Sequence, residues 1–134
     1  MKKKILLVSL IGCLLLVTAG CGCSKKEEQK KDTKINTSKK VIKDQKVEVF
    51  KMTNTTLVYE NKMSTLTTEV TNTSKETTYI KSFNIVVKDK TGNEMITLLG
   101  YIGQEIPAGE TRTITSSTDL DISKAGSIEY SVNK

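Results

Sequence analysis

From Val47 onward the chain repeats one pattern: short runs with apolar residues at every second position, separated by polar clusters. A period of two places successive side chains on opposite faces of an extended strand, so each run has one face to bury. A helix with this pattern would have no continuous apolar stripe. The pattern therefore predicts strands over 47–52, 55–60, 63–72, 78–89, 110–117 and 128–132, and over 94–102 a run that reads as a strand or as a buried helix turn, which periodicity alone does not separate. Leu66, Thr68 and Val70 share a face of the third run; Phe83, Ile85 and Val87 share a face of the fourth. Asn61-Lys62 reads as a tight connection. Residues 89–93 read as a hairpin turn with Gly92 at positive φ, and Pro107-Ala108-Gly109 as a second turn. A bend is expected at Gly100. Runs of this kind bury one face each when they stack as two sheets, so an all-β sandwich is the expected fold class.

Ahead of this stretch the character of the chain is different. Lys2, Lys3 and Lys4 form a basic head, residues 5–17 (ILLVSLIGCLLLV) are apolar, and Thr18-Ala19-Gly20-Cys21 follow. A positive head, an apolar run of about 7–15 residues and small residues before a cut are the parts of a secretory signal. The run falls short of the roughly 20 residues that a spanning helix needs. Val17-Thr18-Ala19-Gly20-Cys21 resembles the lipobox of bacterial lipoproteins. Ala19 and Gly20 match its small positions, whereas Thr18 stands where leucine is usual. The resemblance implies that residues 1–20 are a signal peptide, removed before Cys21, and that the Cys21 thiol carries diacylglycerol. Two acyl chains hold a protein stably on a membrane where one binds only marginally. The expected location is the extracytoplasmic face of the cell membrane. Cys23 is then a spare thiol and Cys13 a small hydrophobe within the run.

Charge divides the chain further. The net +6 is concentrated at its start. Residues 24–46 carry nine Lys against four acids, and residues 47–134 carry nine Lys or Arg against eleven. The basic balance thus belongs to the signal and the segment after it, and gives no basic face for nucleic acid on the folded part. Residues 24–46 contain only three aliphatic residues, Ile35, Val41 and Ile42. Too little apolar surface is available there to offset ordering entropy, so residues 21–46 are expected to be a lipidated cysteine and a disordered tether. Residues 47–134 are expected to form the whole domain, and a chain beginning at Val47 is expected to fold cooperatively.

The chemistry-bearing residues are few. No His or Trp occurs, and no Cys follows Cys23. That removes the usual zinc arrangements, the disulfides and the histidine-based nucleophile pairs from the domain. No phosphate-loop or other cofactor motif is present, so no cofactor is expected. Asp119-Leu120-Asp121 is a local carboxylate cluster, which reads either as a Ca²⁺-ligating loop or as a charged edge that discourages strand pairing. Tyr79-Ile80 and Tyr101-Ile102 flank turns, and either pack at the core rim or leave an exposed apolar patch. Asn36, Asn54 and Asn72 open N-x-S/T triplets, which are read as chance.

Residues 48–133 resemble the FxLYD family of immunoglobulin-like domains found in bacterial surface lipoproteins. That family has a turn of the form N-x-s, a strand closing on Tyr-Asp, a D-x-x-G turn and a pPGE turn. Here Val70-Thr71-Asn72-Thr73-Ser74 stands at the first and Ile85-Val86-Val87-Lys88-Asp89 at the motif itself. Asp89-Lys90-Thr91-Gly92 and Ile106-Pro107-Ala108-Gly109-Glu110-Thr111 stand at the later turns. Ile85 replaces Phe and Lys88 replaces Tyr. The resemblance implies one immunoglobulin-like β-sandwich of about seven strands. It specifies turns and core positions and no activity. The function expected is that of a non-enzymatic binding or accessory module at the cell envelope. Its partners would be the membrane, through the modified cysteine, and an envelope protein or wall polymer. The alternatives are a structural spacer or stabilising subunit of an envelope complex, and a small enzyme built on Lys and carboxylates.

Overall fold

Alternation becomes strand wherever a partner edge is within reach. The computed structural model describes residues 33–134, which form eight strands. They are β1 (Lys34–Asn36), β2 (Gln45–Val47), β3 (Phe50–Glu60), β4 (Met63–Asn72), β5 (Thr78–Lys88), β6 (Glu94–Ile106), β7 (Thr111–Thr118) and β8 (Ser127–Asn133). In the first sheet β1 and β2 both pair with β3, followed by β4 and β7; the second sheet has the order β6-β5-β8. Every pairing is antiparallel. The chain changes sheet after β4, β6 and β7, the routing of an immunoglobulin-like sandwich rather than of a simple meander.

The two sheets bury the faces that alternation marks. Leu66, Thr68 and Val70 of β4 and Phe83, Ile85 and Val87 of β5 are wholly enclosed. Phe50 and Phe83 meet edge to face across the core, with ring centroids 5.7 Å apart. At Gly100 a Cβ would come within 2.6 Å of Ile114 Cδ1, so a larger residue there would make the Ile114 side chain shift. The bend in β6 lies at Gly103, with φ at +63°, rather than at Gly100. There β6 carries an extra residue between the Ile80–Gln104 and Ser82–Tyr101 pairs.

Tyr130 brings a phenol hydroxyl into the core. Its hydroxyl lies 3.2 Å from Thr55 Oγ1, which lies 2.7 Å from Thr68 Oγ1. Burial pushes its phenol up from the ordinary value, an effect the threonine contacts oppose. The outer face of the first sheet is a threonine surface. Thr65, Thr67 and Thr71 of β4 face Ser117, Thr115 and Thr111 of β7, each pair with hydroxyls in hydrogen-bond reach.

Both open sides of the sandwich are tied by side chains. Ser116 of β7 donates to the Leu99 carbonyl of β6 at 2.8 Å, and Gln45 of β2 donates to the Ile128 carbonyl of β8 at 2.7 Å. At the end away from β1, Asn72 holds the turns together. Its Nδ2 donates to the Glu76 and Ile106 carbonyls, and its Oδ1 accepts from the Ser74 amide and hydroxyl.

Three further expectations are corrected. The strands expected over 47–52 and 55–60 are one strand, β3, with a bulge where Asn54 adopts φ of +50°. Asn54 tolerates that backbone and anchors it by donating to Glu69 at 2.7 Å. Val47 belongs to β2, since the chain turns at Glu48 (φ +53°) before β3 begins.

The third correction concerns the tether. From Lys34 it is part of the sandwich: Lys34, Ile35 and Asn36 pair with Tyr59, Val58 and Leu57, and Gln45 to Val47 pair with Met52 to Phe50. Val41 between them is a core residue, 2% exposed. Composition misjudges this segment because the ordering is templated. The edge of β3 offers fixed donors and acceptors, and pairing with it satisfies both backbones. The count of eight strands therefore includes β1, wholly outside 47–134, and β2, which reaches it only at Val47. Asn61-Lys62 (φ +52° and +60°), Gly92 (+91°) and Gly109 (+75°) form the turns expected of them. Residues 1–32, with the signal and the cysteines, lie outside the described residues.

Candidate functional site

The end of the sandwich where β1 begins is built from three segments: 37–44, 89–93 and 119–126. Each is held down by a side chain or by the lack of one. Asn36 is buried; its Nδ2 donates to the Ala125 carbonyl at 2.9 Å, and its Oδ1 accepts the Ser38 amide at 3.0 Å. The Ser38 carbonyl then takes the amides of Val41 and Ile42, a turn that delivers Val41 to the core. Ser64 donates to the Leu120 carbonyl at 2.6 Å and accepts the Ile122 amide at 3.1 Å, which seats Ile122 among the buried residues. Gly126 lets the 89–93 turn approach: a Cβ there would lie 2.6 Å from Lys90 Cα. The Gly126 amide donates to the Lys88 carbonyl at 2.7 Å.

A cleft of about 640 Å³ opens between these segments. Lys40, Lys90 and Lys124 line it, one from each segment, with Ser38 and Ser123 beside them and Val41 and Ala125 beneath. No carboxylate of the described residues lines it. Two acids of the same loops, Asp121 and Asp89, are occupied elsewhere. Asp121 accepts the Ser123 hydroxyl at 2.6 Å, the Ser123 amide at 3.1 Å and the Lys34 ammonium at 3.0 Å. The Ser123 hydroxyl first, then Lys34, pull its carboxyl down to about 2. Asp89 caps its own turn, accepting the Thr91 hydroxyl at 2.6 Å and the amides of Thr91 and Asn93. The Thr91 hydroxyl is the main cause of its lowered value. The three cleft lysines make no ion pair among the described residues.

The Asp121 arrangement has a testable pH signature. Its folded value lies below its unfolded one, so its contribution to stability is complete above about pH 4 and is lost as pH falls toward 2. A carboxyl-detected NMR titration should place its midpoint near 2, with an upward move in both Ser123→Ala and Lys34→Ala. A midpoint at the ordinary value in the unaltered chain would contradict this geometry.

The structure does not join the carboxylates of the Asp119-Leu120-Asp121 cluster into a site. Asp121 turns to Lys34 and Ser123, and Asp119 accepts only a 3.5 Å contact from the Thr118 hydroxyl. No group of three or more His, Cys, Asp or Glu among the described residues is placed to hold a metal. Tyr79 and Tyr101 are 51% and 67% exposed, whereas Ile80 is in the core. Tyr101 lies beside exposed Leu99 on β6, and its ring covers Gly103. Asn36 and Asn72 of the N-x-S/T triplets are buried and hydrogen-bonded. Cys21, the one expected attachment residue, lies outside the described residues.

Sequence reasoning missed Lys40, Lys90 and Lys124. They lie far apart in sequence, in loops without periodicity, and only the packing of the three segments brings them to one cleft. Comparison of the chain with family models, curated proteins and solved structures finds no match.

Proposed function

We propose that this chain is a bacterial surface lipoprotein, anchored by diacylglycerol on Cys21, whose immunoglobulin-like sandwich of the FxLYD kind is a non-enzymatic binding module at the cell envelope. The observation that carries the binding half is the cleft at the end where the chain enters the domain, lined by three lysines that make no ion pair among the described residues. The Lys2-to-Cys21 pattern carries the anchoring half. Ser123 does touch a carboxylate, but one held at about 2 is too weak a base to take a serine proton near neutral pH. Docking through loops at one end fits better than strand addition, because Leu99 of β6 and Ile128 of β8 already have their carbonyls engaged from the other sheet.

A second reading, a stabilising subunit of an envelope complex, is favoured by the exposed Leu99 and Tyr101 on the outer face of the second sheet. Crosslinking in intact cells separates the two. Capture of one protein through probes at Leu99 or Tyr101 supports the subunit. Crosslinks confined to residues around Lys40 and Lys124 support the cleft. The anchor has its own test: Cys21→Ser should release the protein from membranes or leave an uncut precursor. A variant that stays processed and membrane-bound would remove the lipobox reading.

A further inference from the structure

We infer that the Lys40–Lys90–Lys124 cleft binds the phosphate group of an organic phosphate ester. The inference deepens the binding-module reading and rests on it. Three features point to this class of ligand. First, three lysines from three separate loops line one cleft that no carboxylate of the described residues lines, and Asp89 and Asp121 of those loops are engaged within their own turns. An excess of positive charge around a cleft favours the entry of an anion. Second, the donors suit a multi-oxygen anion. Lysine binds phosphate as a point charge, and the Ser38 side chain beside the lysines adds a hydroxyl. The Ser123 hydroxyl is already given to Asp121. Third, the cleft is larger than its charge requires. At about 640 Å³ it has room for an organic body as well as a phosphate, and Ile35, Val41 and Ala125 give it an apolar wall.

Position is relevant to the source of the ester. Twelve residues separate Cys21 from Thr33, a reach of about 40 Å at full extension. With a lipid on Cys21, phosphate esters of the membrane surface and those in solution are both within reach of the cleft.

The test uses the unacylated chain 22–134, which keeps every described residue, followed by amide NMR during titration with inorganic phosphate and with glycerol 3-phosphate. Saturable shifts are expected in residues 36–41, 90–92 and 123–126. Glycerol 3-phosphate should bind more tightly than phosphate alone. Replacing all three lysines (Lys40→Gln, Lys90→Gln, Lys124→Gln) should weaken binding about tenfold or more, with an unchanged melting temperature because the three side chains are exposed. Sedimentation with vesicles identifies the source. Retention on phosphatidylglycerol but not phosphatidylcholine vesicles, lost in the triple variant, assigns a lipid headgroup. Binding of glycerol 3-phosphate without vesicle retention assigns a soluble or polymeric ester. Shifts scattered over all exposed lysines, or equal affinity in the triple variant, would overturn the inference. A neutral sugar that binds the cleft equally well in the triple variant would overturn it while leaving the binding-module reading intact.

Discussion

A chain that begins at Val47 is expected to be less stable than one that begins at Thr33 by about 3 kcal/mol, and to aggregate more readily. The shorter chain loses Val41 from the core, and full burial of a valine is worth roughly 1.5–3 kcal/mol. It also loses the Asn36 bond to the Ala125 carbonyl and the Gln45 bond to the Ile128 carbonyl, each worth about 0.5–1.5 kcal/mol. Ordering entropy of the lost residues offsets part of the sum. Removing β1 and β2 also bares the edge of β3, whose free backbone groups are then a template for another chain. Urea unfolding of the two chains, at matched concentration, measures the difference. Val41→Asp in the longer chain should reproduce most of it. Equal midpoints for all three would mean that the segment before Val47 is an ornament on an independently stable sandwich.

The second large effect is expected at the centre of the core. Phe83→Ala should cost about 3–5 kcal/mol, the range for deleting a buried aromatic ring. Phe83 has no exposed surface, and its ring meets Phe50 edge to face at an interplanar angle of 82°. The cavity would lie between two sheets tied together at both sides, which limits collapse. In a domain of this size the melting temperature should fall by more than about 10 °C. Tyr101→Ala is the contrast. That side chain is 67% exposed, so its loss should change stability by no more than about 0.5 kcal/mol. A loss at Tyr101 comparable with that at Phe83 would mean that the tyrosine is covered in solution, as the subunit reading requires.

The particular elements show what local pattern can convey. The strand over 63–72 was legible to the residue, because Ser64, Leu66, Thr68, Val70 and Asn72 alternate without interruption and all face the core. The strand ending at Lys88 was legible for the same reason, and Asp89 with Gly92 marked its turn. β3 was misjudged because a bulge at Asn54 breaks the period, so one strand reads as two. β1 and β2 were invisible. Three residues each are too few to show a period, and their order comes from β3, which is distant in sequence for β1.

The candidate cleft was less legible still. A lysine in a loop carries no local signal, because a solvated charge is the ordinary fate of such a residue. Asn36, Ser64 and Gly126 position the loops around the cleft, yet each looks like any polar or small residue until its partner is in place.

Alternation and the polar clusters between its runs determined that residues from Val47 on form strands, which faces they bury, and where most turns fall. They do so because a period of two is a property of neighbouring residues and survives without knowledge of the partner strand. Tertiary structure alone decided that the domain reaches back to Lys34, that two expected strands are one, and that Lys40, Lys90 and Lys124 share a cleft. Those outcomes depend on contacts between residues distant in the chain, whose energies no local pattern records.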